Sequence, residues 1–119
     1  MSKNLKRCRD LIAIELEDLK MDIEHLLEIN KKKIDNDEIT NYVFRENRVT
    51  LKDEINAIKT FHRTVDNLSL SNFNSREEIF EYLENKFERI VEEAGYGKGI
   101  LYFVKRKLNK IRKYLCITQ

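Results

Sequence analysis

Proline is absent from this chain, and its three glycines (Gly95, Gly97 and Gly99) fall within five residues of one another. A sheet-rich fold needs frequent tight turns, and those turns draw heavily on glycine and proline. A chain of 119 residues with so few of either is left with long helices and few connections. One domain spanning residues 1–119 is expected at this length, large enough to bury a core without covalent staples. A hydrophobic fraction of 41% beside a charged fraction of 37% fits solvated helices with one apolar face. A disordered chain would carry far fewer Ile, Leu and Phe.

Apolar periodicity divides the chain into four helices. The first is expected over residues 5–34. Leu5, Ile12, Leu16, Leu19, Ile23, Leu26 and Leu27 recur at steps of three and four, the pattern of one buried stripe. Asn30 and Lys33 weaken that stripe, and Asp35, Asn36 and Asp37 supply turn and cap chemistry. The second helix is expected over residues 38–68. Its early apolar positions (Ile39, Tyr42, Val43) and its later ones (Leu51, Ile55, Ile58, Val65, Leu68) are out of step. The slip predicts a kink or a break between Arg45 and Thr50, with Thr50 and Asp53 placed to cap a fresh start. A loop follows at residues 69–75, with Phe73 packing back as an anchor.

Ser75 and Glu78 form a Ser-x-x-Glu capping box at the head of the third helix. Ile79, Phe80, Leu83, Phe87, Ile90, Val91 and Ala94 point inward along it, and Gly95 is placed to end it in a left-handed conformation. The fourth helix, residues 98–116, keeps Leu101, Val104, Leu108, Ile111 and Leu115 near heptad spacing. Short connections between four helices predict an all-α, antiparallel four-helix bundle.

Catalytic and metal chemistry find little support. The glycines before the fourth helix lack the Gly-Lys-Ser/Thr ending and the preceding strand of a nucleotide-binding loop. A tight helix connection explains them. His25 follows Asp22 by three residues, a spacing used in carboxylate-bridged metal helices, but that design needs the motif twice, and Lys59 stands where His62 would need a carboxylate. No metal and no cofactor are expected, and the chain reads as non-enzymatic. His62 is expected to be buried and hydrogen-bonded near the seam between Ile58 and Val65. The two cysteines, Cys8 and Cys116, have no neighbouring histidine and no Cys-x-x-Cys spacing. They read as reduced thiols of a cytoplasmic protein, brought to the same end of the bundle, with Arg7 and Arg9 able to lower the Cys8 pKa. No apolar run is long enough for a transmembrane segment.

Charge is the feature that bears on partners. From Gly95 onward there are seven Lys and Arg and no Asp or Glu. The first nine residues add Lys3, Lys6, Arg7 and Arg9, while the middle of the chain is acidic. An antiparallel arrangement would bring both basic ends to one pole. Lys98, Lys105, Arg106, Lys110, Arg112 and Lys113 fall on the outer side of the fourth helix, with Arg106, Lys110 and Lys113 as a central stripe. Lys107 points near the apolar side, so it must snorkel or meet an acid. These bases, with Lys3, Lys6, Arg7 and Arg9, form the candidate surface for an acidic partner, either a protein or a nucleic-acid backbone. A helix-turn-helix is disfavoured by the lengths of the last two helices, so nucleic acid would be met through its phosphates. The alternative is a self-associating homodimer without an anionic ligand. There the glutamates of the third helix (Glu81, Glu84, Glu88, Glu92), pointing outward, would meet the basic helix of a second copy.

Overall fold

The computed structural model describes residues 3–117. It is all-α, with α1 at Lys3–Asp35, α2 at Asn41–Asp66, α3 at Arg76–Ala94 and α4 at Gly99–Ile117. A single 3₁₀ turn, Leu70–Asn72, lies between α2 and α3. The molecule measures 54 × 30 × 18 Å. The 33 residues of α1, at about 1.5 Å each, account for nearly all of the long dimension.

α1 and α2 form a hairpin. The turn between them contains Asp37, the only described non-glycine residue at positive φ (58°). The Glu38 N–H donates to the Lys33 carbonyl at 2.8 Å and the Asp37 N–H to the Ile34 carbonyl at 3.2 Å. Those two bonds satisfy carbonyls that the end of α1 would otherwise leave open. Thr40 then caps α2, its hydroxyl accepting from the Val43 N–H at 3.2 Å.

α2 therefore starts three residues later than the sequence suggests, and it runs unbroken to Asp66. Thr50 caps nothing. The expected interruption between Arg45 and Thr50 does not occur, because nothing there breaks the backbone ladder: the segment has neither proline nor glycine. The apolar register slips because the surroundings change. Residues 45–50 are all exposed, whereas Ile55, Ala57, Ile58, Phe61 and Val65 are buried.

α3 begins and ends as its sequence predicts. The Ser75 hydroxyl accepts from the Glu78 N–H at 3.2 Å. Gly95 adopts φ 72°, ψ 23°, and the Tyr96 N–H reaches back to the Val91 carbonyl at 3.0 Å. With no Cβ, Gly95 takes this left-handed conformation without the strain another residue would bear.

The core lies in one half of the molecule. On α1 it comprises Leu5, Cys8, Ile12, Leu16, Leu19 and Ile23; on α3 Ile79, Phe80, Leu83, Phe87 and Val91; on α4 Ile100, Val104, Leu108, Ile111 and Leu115. Phe61 of α2 stacks on Phe87 of α3 with ring centroids 4.3 Å apart. Beyond Ile23 the only buried residue of α1 is Asn30, and α2 buries nothing before Ile55. The far half of the hairpin is thus two helices thick. Its seam is held partly by polar groups: Asn30 Nδ2 donates to the Phe44 carbonyl at 3.0 Å and accepts, through Oδ1, from Asn47 Nδ2 at 3.1 Å.

Phe61 has no exposed surface and joins α2 to α3. Phe61→Ala is expected to cost about 3–5 kcal/mol through lost burial and the cavity left behind. Urea denaturation should show a lower midpoint. A loss below about 1 kcal/mol would mean that the α2–α3 contact contributes little to the fold.

Candidate functional site

The start of α1 and the end of α4 meet. Arg7 Nη2 donates to the Tyr114 hydroxyl at 2.9 Å, and the Arg7 guanidinium lies 5.5 Å from the centre of the Tyr114 ring. The two basic ends of the chain therefore share one pole, which also receives the head of α3. Lys6, Arg7 and Lys113 are exposed there. Arg9 is half-buried and pairs with Asp10 at 3.5 Å. Lys3 opens α1, but its side chain lies outside the described residues.

Four cations of α4 are held by carboxylates of the same chain. Glu15 of α1 receives two of them, with Lys110 Nζ 2.8 Å from Oε1 and Lys107 Nζ 3.2 Å from Oε2. Lys107 thus meets an acid, as its position near the apolar side requires. The contact at Oε2 is ionic, without hydrogen-bond alignment. Burial alone would push the Glu15 carboxyl up, but the contacts and charges of Lys110 and Lys107 outweigh it and hold the pKa below its ordinary value. Glu15 in turn raises the Lys110 pKa by hydrogen bonding and charge.

The α3–α4 edge supplies the other pairs. Lys105 Nζ sits 2.6 Å from Glu88 Oε1. Arg112 spans two acids, with Nη1 2.6 Å from Glu84 Oε1 and Nη2 3.1 Å from Glu77 Oε1, while its guanidinium lies 4.7 Å from the centre of the Phe80 ring. The expectation that the acidic and basic stripes both point outward is therefore corrected. Glu77, Glu84 and Glu88 share a helical edge at spacing i, i+7, i+11. Lys105 and Arg112 share one at i, i+7, and the antiparallel α3–α4 contact lays these edges together. Glu81 and Glu92 remain exposed.

Among the described residues, no ion pair engages Lys6, Lys98, Arg106 or Lys113, all exposed. Lys98 and Arg106 lie toward the opposite end of α4, where Arg106 approaches the Tyr102 ring at 5.8 Å. The ten sequence-selected bases consequently do not form one continuous free stripe. Lys105, Lys110 and Arg112 are engaged internally, Lys98 and Arg106 are remote from the pole, and Lys6, Arg7 and Lys113 flank it.

Beside that pole is a feature the charge pattern did not reveal. Leu11 and Ile14 of α1, with Ile111 and Tyr114 of α4, line an apolar notch of about 190 Å³, and Glu15 and Lys110 close one side. Ile14 is 56% exposed and Tyr114 46%, so both present apolar surface to solvent. Ile14 lies outside the buried stripe of α1, a signal present in the sequence.

The remaining candidates are isolated. Cys8 is fully buried and Cys116 exposed, and both are free thiols. Burial pushes the Cys8 pKa up to about 11 against the lowering influence of Arg76 and Arg112, so the expected activation by Arg7 and Arg9 is overturned by desolvation. His62 is not buried: it is half-exposed and its Nδ1 lies 3.0 Å from Asp66 Oδ2, one turn onward. His25 is exposed, 3.9 Å from Glu28. Among the described residues no three His, Cys, Asp or Glu gather as a metal site, and no helix is long and apolar enough to cross a membrane. No protein family, no curated protein and no solved structure matches this chain.

Because the Glu15 pKa is depressed in the fold, its contribution to stability is present above the ordinary carboxyl value of 4.5 and is lost as pH falls through the folded value. Glu15→Gln should lower stability at neutral pH and flatten the acid limb of stability against pH, as followed by urea midpoints. Parallel profiles for the two proteins would count against the contact of Glu15 with Lys107 and Lys110. The native protein should react with one equivalent of a thiol reagent at neutral pH, at Cys116, with Cys8 released only on unfolding. Equal rates at the two thiols would contradict the burial of Cys8.

Proposed function

We propose that this chain is a non-enzymatic interaction protein, an antiparallel four-helix bundle that docks an acidic segment of a partner protein at its basic pole. The observation that carries the reading is the Arg7–Tyr114 hydrogen bond of 2.9 Å. It supports one rim, made by Lys6, Arg7 and Lys113, beside the notch of Leu11, Ile14, Ile111 and Tyr114. An apolar centre with a polar, charged rim is the anatomy of a protein interface. The charge would steer an acidic partner, and the notch would hold an aliphatic or aromatic anchor from it.

A nucleic acid is the less favoured ligand. Phosphate binding draws on a row of free Lys and Arg along the backbone. Here Lys105, Lys107, Lys110 and Arg112 already face carboxylates within the chain.

The reading is tested with a synthetic acidic peptide carrying a central Leu-Leu pair, the same peptide with Ser-Ser, and a generic DNA duplex, each titrated by fluorescence anisotropy at two salt concentrations. The Leu-Leu peptide should bind best. Binding should weaken about tenfold or more in the Lys6→Glu, Lys113→Glu double variant, whose two sites are exposed and make no ion pair among the described residues. Tighter binding of the duplex, with a steep salt slope, would reassign the pole to nucleic acid. Affinity indifferent to the double variant would remove the pole altogether.

A further inference from the structure

A second surface lies at the opposite end of the molecule, where α3 and α4 stop and the α1–α2 hairpin continues. A groove of about 580 Å³ opens between α1, α2 and α4, with Leu19, Ile23, Leu26, Leu51 and Phe103 among its apolar walls. It continues along the hairpin as a shallower trough of about 250 Å³ that shares Leu26 and Leu51 and ends at Lys33. Leu26 is 47% exposed and Phe103 42%. Past Leu26, α1 projects nine more residues, to Asp35, or about 14 Å. Over that length the hairpin has a face but no covering helices.

We propose that this face is covered by a second copy of the chain, two hairpins packing antiparallel across a two-fold axis so that each fills the place where α3 and α4 end on the other. The charges along the trough favour this occupant. Glu54 and Asp22 stand at its inner end with Arg106, beside Lys107 and Lys110, which Glu15 already holds, and Lys33 stands at its outer end. A two-fold axis near the middle of the trough reverses its direction, so Lys33 of one copy arrives level with Glu54 and Asp22 of the other. Leu26 then faces the neighbourhood of Ile29, and the acidic turn (Asp35, Asp37, Glu38) comes level with Leu19 and Arg106. A closed dimer needs a self-complementary patch of this kind. Glu54 has no ion-pair partner among the described residues, and burial raises its pKa by penalising the charged form, a penalty that a cation from a second copy would offset. Two helix pairs meeting in this way build four-helix packing from two hairpins.

A face about 20 Å long and two helices wide buries on the order of 1,000 Å² in total, the low end for a specific interface, so the dimer is expected to dissociate in the micromolar range. The acidic-partner pole shares only Lys110 with this groove, and the residues varied there (Lys6, Lys113) line neither the groove nor the trough, so either reading can fail without the other.

Sedimentation velocity across a concentration series tests the proposal, with circular dichroism confirming that each variant stays helical. The wild-type chain should pass from monomer to dimer. Leu26→Glu, at an exposed site, should leave the helix content unchanged and keep the chain monomeric. Lys33→Glu and Glu54→Lys should each weaken the dimer about tenfold, and the double variant should recover most of that loss. A monomer at every concentration, a dimer indifferent to Leu26→Glu, or a double variant no tighter than the single ones would overturn the interface.

Discussion

The structure is governed by a mismatch of helix lengths. α1 has 33 residues and α2 has 26, whereas α3 and α4 have 19 each. Two short helices cannot cover two long ones. The turn at residues 95–99 sets where α3 ends and α4 begins, so only the half of the molecule near the chain ends acquires a deep core. The bare hairpin and the groove at the step where covering stops follow from that division.

Within the thick half, apolar packing and ion pairs do different work. The buried Ile, Leu, Val and Phe side chains supply most of the burial free energy. The pairs of Glu77 and Glu88 with α4 are open to solvent, and contacts of that kind contribute little to stability individually, whereas those of Glu15 and Glu84 are more enclosed. Their weight lies in orientation. They leave α4 with one register in which every engaged cation meets an acid, and they withdraw much of its charge from solvent. The same chain therefore looks far more basic along its last quarter in sequence than it does on its surface.

Local chemistry was legible before any coordinates. Ser75 and Gly95 mark the two ends of α3 because a cap and a left-handed glycine act on their immediate neighbours. The steps of three and four in α1 likewise found its buried stripe. What escaped was whatever depends on another helix. The slip between Val43 and Leu51 looked like a break, because periodicity records which side is buried, and that side changes when the covering helices end. The partners of Lys105, Lys110 and Arg112 depend on how far α4 slides against α1 and α3, which spacing within one helix does not encode. Cys8 was judged by its basic sequence neighbours, yet its environment is set by the core it enters. Ile14, lying off the stripe, was the one visible hint of the apolar notch.

Asn30 illustrates how a weak-looking position constrains the whole. Two long apolar helices can slide past each other by one turn and still bury leucines, so their alignment is poorly defined by grease alone. A single carboxamide in the seam, bonded to the Phe44 carbonyl and the Asn47 side chain, acts as an index pin. Shifting the hairpin by a notch would strand that group without partners, so the level at which α2 brings Phe61 to the core is set from the far end of the hairpin.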